Sequence, residues 1–181
     1  MEGEPTEKEP EVTFEHDCPI EEIADFLSED SVNEKDNRIK HTPKEAEERV
    51  KGFREKPNVT ELILRKDGEL VGCAFSYEQD EQGLKEKVPC AEFFNTDKDR
   101  VFEIKGVHIK SQHRGEGLGQ VIMEKLMADT KQKGATKLVL STFFEEDNPA
   151  RRLYEKLGFK EVASKQDPHN FYMQYEYPEE K

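Results

Sequence analysis

The segment "SQHRGEGLGQ", residues 111–120, places three glycines and an arginine between "VFEIKGVHIK", which reads as a β-strand, and "GLGQVIMEKLMADTKQKG", which reads as an amphipathic helix. A strand entering a helix through such a turn leaves backbone N–H groups unpaired at the positive end of the helix dipole. That is an anion site, and phosphate is the usual anion. Any fold for this chain has to deliver strand, glycine turn and helix in that order. A P-loop would carry Lys followed by Ser or Thr, and no such pair follows here. A dinucleotide turn of the G-x-G-x-x-G kind would place its third glycine one position later than Gly119. It would also end the next strand on an acidic residue, where Leu140 and Ser141 stand.

The rest of the chain supplies elements around that turn. "EVTFEHD" alternates as a strand, and "PIEEIADFLSED" and "TPKEAEERVKGF" have helical spacing, the second with Thr42 as cap and Pro43 in the first turn. "ELILRKDGELVGCAFSYEQ" is a hairpin turning at Asp67-Gly68. In the helix after the glycine turn, Leu118, Val121, Ile122 and Leu126 form the expected inward stripe, and Gly134 ends it. "KLVLSTF" reads as a buried strand. "DNPARRLYEKLG" reads as a helix capped by Asn148, with Ala150, Leu153, Tyr154 and Leu157 inward and Gly158 at its end. "FKEV" and "FYMQYEY" are the last strands. The order β-α-α-β-β-β-α-β-α-β-β predicts a mixed α/β domain over residues 11–181, preceded by a disordered acidic segment over 1–10. Residues 80–100 read as a long functional or disordered loop.

Composition narrows the setting. With 181 residues the chain suffices for one domain with a real core, and its net charge of −13 disfavours nucleic acid and favours cationic ligands. Cys18, Cys73 and Cys90 are odd in number and form no C-x-x-C pair, which speaks against a disulfide framework and a zinc site. Reduced thiols in a cytoplasm are the expectation, with no metal. No apolar run approaches the length of a membrane span or a signal peptide.

Residues 107–119, "VHIKSQHRGEGLG", resemble motif A of the GCN5-related N-acetyltransferases (GNAT), Q/R-x-x-G-x-G/A after a strand, met in two registers from Gln112 and Arg114. "DNPARRLYEKLGF" resembles that family's N-x-x-A-x-x-L-Y-x-K-x-G-F segment at the expected distance. The specific likeness covers residues 101–162. Ser111 departs from the usual proline, and the 80–100 segment is longer than in many relatives. The resemblance implies a GNAT fold: a central, mixed, mostly antiparallel twisted sheet of about seven strands flanked by about four helices. It implies acetyl-CoA as co-substrate, held by Val107, His108 and Ile109 of the strand, by Gln112, Arg114, Gly115, Glu116, Gly117, Leu118, Gly119 and Gln120 of the turn and helix start, and by Asn148. Dimerisation is frequent in that family.

Acetyl transfer from a thioester to an amine needs a neutral amine, a stabilised oxyanion and a protonated leaving thiolate. By resemblance Tyr154 is the general acid, since a phenol stays protonated at neutral pH and can still donate. Glu103, six residues before Ile109, is placed as a general base of some relatives is. Regular alternation sets it on the face of Lys105, Val107 and Ile109, and Gly106 invites a bulge that would change this. His108 and His113 are expected to be exposed, and the cysteines are the poorest nucleophile candidates. The expected reaction is acetyl transfer to a primary amine of a cationic acceptor: a polyamine, an aminoglycoside-like amine or a peptide amine. The alternatives are a non-catalytic acetyl-CoA-binding sensor or interaction module and use of another acyl donor, such as succinyl-CoA.

Overall fold

The computed structural model describes residues 11–29, 41–80, 82–84, 98–143, 148–162 and 170–179. The expectations for residues 1–10, for most of the 80–100 loop and for Cys90 lie outside the described residues. The elements run β1 (Val12–Glu15), α1 (Ile20–Glu29), α2 (Pro43–Arg54), β2 (Thr60–Lys66), β3 (Glu69–Glu78), β4 (Val101–Ile109), a 3-10 turn (Ser111–His113), α3 (Leu118–Gln132), β5 (Lys137–Phe143), α4 (Pro149–Lys156), β6 (Lys160–Val162) and β7 (Asn170–Glu176). The seven strands form one sheet in the order β1-β2-β3-β4-β5-β7-β6, antiparallel at every junction except the parallel pair β4–β5.

Local chemistry sets the element ends. Thr42 and Glu45 form a reciprocal capping box ahead of Pro43, which satisfies N–H groups that the start of α2 leaves unpaired. Asp67 and Gly68 both hold positive φ, the backbone that a two-residue hairpin turn between β2 and β3 requires. Asn148 accepts from the Ala150 N–H at 3.0 Å and caps α4.

The strand period of two splits the apolar side chains between two layers. On one face Leu62, Leu64, Phe102, Ile104, Leu138 and Leu140 pack with Leu118, Ile122, Met123, Leu126 and Tyr154 of α3 and α4. On the other, Ile63, Cys73 and Phe75 pack with Ile23, Phe26 and Val50 of α1 and α2. Burial of each such large side chain contributes about 1.5–3 kcal/mol. The α3 stripe differs from expectation at one position: Val121 is 37% exposed, while Met123 is fully buried.

Two irregularities shape β4. Gly72, Cys73 and Phe75 of β3 pair with Ile109, His108 and Lys105, so Ala74 stands opposite both Gly106 and Val107 in a bulge. Gly106 has φ +63, a backbone that suits glycine at such a bulge. On its other edge β4 pairs with β5 only at Val101, Phe102 and Glu103, opposite Lys137, Leu138 and Val139. Beyond Glu103 and Val139 the two parallel strands are not paired, and the sheet opens between residues 104–109 and 140–143.

Candidate active site

The glycine turn sits at the end of β4, at the mouth of that opening. Gly115 and Gly117 both lie in the left-handed region, with φ +86 and +81, and a Cβ at either would meet nothing within 4 Å. Gly117 is the N-cap of α3 and offers no side-chain cap. The His113 and Arg114 amides bond back to Lys110 and Ser111, and those of Gln120 and Val121 bond to the Gly117 carbonyl. Among the described residues, no hydrogen bond engages the five consecutive N–H groups of residues 115–119. Alternating backbone handedness with free amides at a helix N-terminus makes an anion nest. Gly119 serves another purpose: a Cβ there would stand 3.2 Å from Leu153 Cδ2, so its absence lets α4 approach the first turn of α3.

The residues expected at the ligand divide accordingly. Gly115, Glu116, Gly117, Leu118 and Gly119 supply the nest through their amides, while the Leu118 side chain is buried in the core. Gln120 is engaged elsewhere: its amide is in the helix, and its side chain bonds Lys156 and Glu124, each at 2.7 Å. The Arg114 Nε donates to the Ile109 carbonyl at 3.1 Å. Gln112 lines a small recess with Phe26, Glu29, Lys110 and Ser111 on the α1 side.

The bulge decides how the end of β4 faces. Val107 and Ile109 lie with Phe102 and Ile104 on the α3/α4 layer, not with Glu103 as regular alternation would have it. His108 turns to the opposite layer and meets the Phe26 ring edge-on, with 5.4 Å between centroids. It is half-buried there, and His113 is only 19% exposed beside Glu116 and Glu69, so neither histidine is as exposed as expected.

Glu103 is 2% exposed on the α1/α2 side. Its Oε2 accepts from the Tyr77 hydroxyl at 3.0 Å and from Gln79 Nε2, and its Oε1 pairs with Lys105 Nζ at 2.7 Å. Burial, and then the neighbouring Glu103 charge, pushes the Tyr77 phenol well above its ordinary range. Tyr77 stays a donor to the carboxylate. Tyr154, 8% exposed, lies on the opposite layer, with its ring 5.9 Å from Phe159. The two expected catalytic side chains therefore occupy opposite faces of the sheet. Asn148, 6% exposed, spans from the α4 cap to β5, donating to Thr142 Oγ1 at 2.8 Å beside the opening.

A polar cavity of about 720 Å³ lies apart from the turn, between the start of β2 and the last turns of α3. Its charges are largely matched internally: Arg54 pairs with Glu61 at 2.7 Å, and Lys125 with Asp129 at 2.6 Å. No cluster of three or more His, Cys, Asp or Glu side chains among the described residues could hold a metal ion. No described helix is long and apolar enough to cross a membrane.

Comparison with known proteins bears on the same turn and helices. Residues 20–159 match the family model described as the acetyltransferase (GNAT) family. N-alpha-acetyltransferase 40 of Saccharomyces cerevisiae is 37% identical over 59 residues, covering 29% of this chain and 21% of the yeast protein. The ribosomal protein bS18 alanine N-acetyltransferase of Haemophilus influenzae is 41% identical over 56 residues, covering 31% of this chain and 37% of that protein. The matches thus span well under half the length of either curated relative. Among solved structures, an aminoglycoside acetyltransferase in complex with coenzyme A superposes with a TM-score of 0.67 at 21% identity, covering 92% of this chain and 95% of that one. YncA of Salmonella typhimurium, solved with its cofactor acetyl-CoA, gives 0.66 at 15% identity over 93% and 95%. At these identities the shared property is the fold. With the family model spanning most of its length, the chain belongs to the acetyltransferase (GNAT) family.

Proposed function

We propose that this chain is an acetyl-CoA-dependent N-acetyltransferase and that its acceptor is the N-terminal amine of a peptide or protein. The observation that carries the donor half is the run of five N–H groups, residues 115–119, that bond no described residue, beside the unpaired edge of β4. The turn suits a diphosphate, and the edge at residues 104–109 suits an extended amide-bearing arm running between β4 and β5. When bound, acetyl-CoA supplies an activated acetyl thioester. Support for a peptide acceptor comes from the two curated relatives, whose names describe acetylation of an N-terminal amine and of an alanine in a ribosomal protein.

The chemistry divides between the two faces of the sheet. Glu103, on the α1/α2 side, takes the proton that the acceptor nitrogen sheds as it attacks. Tyr154, on the α3/α4 side, donates its phenolic proton to the departing sulfur. A backbone N–H of Val107 or Ile109 hydrogen-bonds the thioester oxygen as charge develops on it. At pH 7 a peptide α-amine, with a pKa near 7.7–8.0, is neutral in about one molecule in ten, whereas an alkyl amine near 10.4 is neutral in fewer than about one in a thousand. An α-amine therefore asks less than a lysine or polyamine nitrogen of a carboxylate base whose oxygens are already engaged.

The test is thiol release from acetyl-CoA, with products identified by mass spectrometry. The acceptors are peptides with free N-termini, the same peptides N-terminally blocked with lysines intact, a polyamine and an aminoglycoside. Turnover is expected on the free α-amine and not on the blocked peptide. Turnover on the polyamine or aminoglycoside alone contradicts the acceptor class. Tight acetyl-CoA binding with no transfer to any amine contradicts the enzyme and favours a binding module.

A further inference from the structure

The anion nest carries a charge of the wrong sign. Glu116 stands between Gly115 and Gly117, as the second of the five residues whose N–H groups favour an anion. Both of its carboxylate oxygens are engaged by other elements. Oε2 accepts from Lys66 Nζ at 2.6 Å, and Oε1 lies 3.1 Å from His113 Nδ1. The hydrogen bond from Lys66, then that from His113, holds the Glu116 carboxyl below its ordinary range, so it is ionised throughout the neutral region.

Lys66 is the last residue of β2, at the entry to the Asp67-Gly68 turn, and its side chain is only 22% exposed. On the exit side of the same hairpin turn, Glu69 pairs with Lys110, the residue that leads into the glycine turn. The His113 Nε2 lies 3.9 Å from Glu69 Oε2, between the two pairs. A lysine of the hairpin thus holds a glutamate of the glycine turn, and a glutamate of the hairpin holds a lysine at its start. The Lys110 amide also donates to the Val71 carbonyl at 2.8 Å, a third tie between the hairpin and the turn.

We infer that the β2–β3 hairpin turn is part of the acetyl-CoA site: Lys66 is a positioning residue that draws the Glu116 carboxylate toward the hairpin and cancels its charge beside the nest. The Glu69–Lys110 pair fixes the other end. This rests on the reading of residues 115–119 as a diphosphate site. Without Lys66, an uncancelled carboxylate stands next to the bound diphosphate and opposes it.

The experiment is calorimetric titration of the whole chain with acetyl-CoA for four proteins: wild type, Lys66→Met, Glu116→Gln and the double variant, with thermal midpoints recorded for each. Lys66→Met is expected to weaken binding about tenfold at low ionic strength and less at about 0.5 M salt, where the charges are screened. Glu116→Gln is expected to bind at least as tightly as wild type, and the double variant to return to within about threefold of it, the strong coupling expected of residues in contact. A merely misfolded Lys66→Met would not be rescued by Glu116→Gln. Wild-type affinity in Lys66→Met overturns the inference. So does a double variant as weak as Lys66→Met, because Lys66 would then act on the ligand or the fold and not through Glu116. Absence of acetyl-CoA binding by the wild type would overturn both this inference and the diphosphate reading beneath it.

Discussion

At the scale of single residues, three glycines in five positions perform two tasks. Gly115 and Gly117 supply left-handed backbone to the nest, whereas Gly119 lets Leu153 approach. The spacing in the sequence announced the turn and its flanking elements but could not separate those tasks, because the second depends on a helix thirty residues downstream. Lys66 carried no signal at all, since it reaches Glu116 only when the hairpin folds against the turn. On the proposed chemistry, Tyr154→Phe removes the proton donor and keeps the ring. Turnover should fall about 10²-fold or more with acetyl-CoA binding retained; unchanged turnover would assign Tyr154 to packing alone. Cys18 and Cys73 are predicted to be inert. Burial, and then the hydrogen bond that its Sγ donates to Glu22, pushes the Cys18 thiol up to about 12, and burial raises Cys73 as well. A raised thiol pKa means less thiolate and less reactivity. Peptides containing either cysteine should stay unlabelled by iodoacetamide in the native protein at about pH 8 and label only on unfolding; rapid native labelling would contradict the burial.

At the scale of elements, β4 is the piece on which the site depends. Its first residues were legible as a strand, and its glycine was legible as a bulge candidate, but the facing of Val107, His108 and Ile109 was not. A one-residue bulge exchanges the two faces, and only the pairing with β3 reveals it. Replacing Gly106 by Ala should cost about 1–3 kcal/mol of stability. The φ of +63 is unfavourable for any Cβ, and that atom would stand 3.3 Å from Phe75 Cδ2. Urea unfolding checks this through a lowered midpoint at unchanged slope; an unchanged midpoint would mean that the bulge relaxes without penalty. The helices were easier to read, because Thr42-Pro43 and Asn148-Pro149 are local signals and the caps formed where they stand. Val121 was misassigned to the inward stripe because neighbouring apolar positions 121, 122 and 123 are ambiguous by about one residue of helical phase. Packing against the sheet chose Ile122 and Met123.

At the scale of the whole molecule, the order of elements in the sequence predicted a mixed α/β fold, and the sheet realises it with one parallel junction where β4 and β5 part. That parting was invisible beforehand, since nothing in either strand's composition says where pairing stops. Several ion pairs bind distant segments, and they set the response to acid. The hydrogen bonds from Arg65 to Glu22 and from Arg100 to Glu78 are the largest influences lowering those carboxyls from the ordinary 4.5. A carboxyl with a depressed folded pKa contributes stability that is present above its unfolded value and is lost as pH falls through the folded one. The thermal midpoint should therefore drop as pH goes below about 4.5, and Glu22→Gln with Glu78→Gln should flatten that drop; an equally steep drop in the double variant would place the acid sensitivity elsewhere. The central claim is that acetyl-CoA lies in the opening between β4 and β5 with its diphosphate on the glycine turn. Amide hydrogen exchange of the full chain with and without acetyl-CoA tests it most directly. Slowed exchange is predicted within residues 104–109 and 114–119, with no change at Thr60, Glu61 or residues 125–133 around the polar cavity. Protection centred on that cavity, or none at the glycine turn under saturating acetyl-CoA, would contradict the claim.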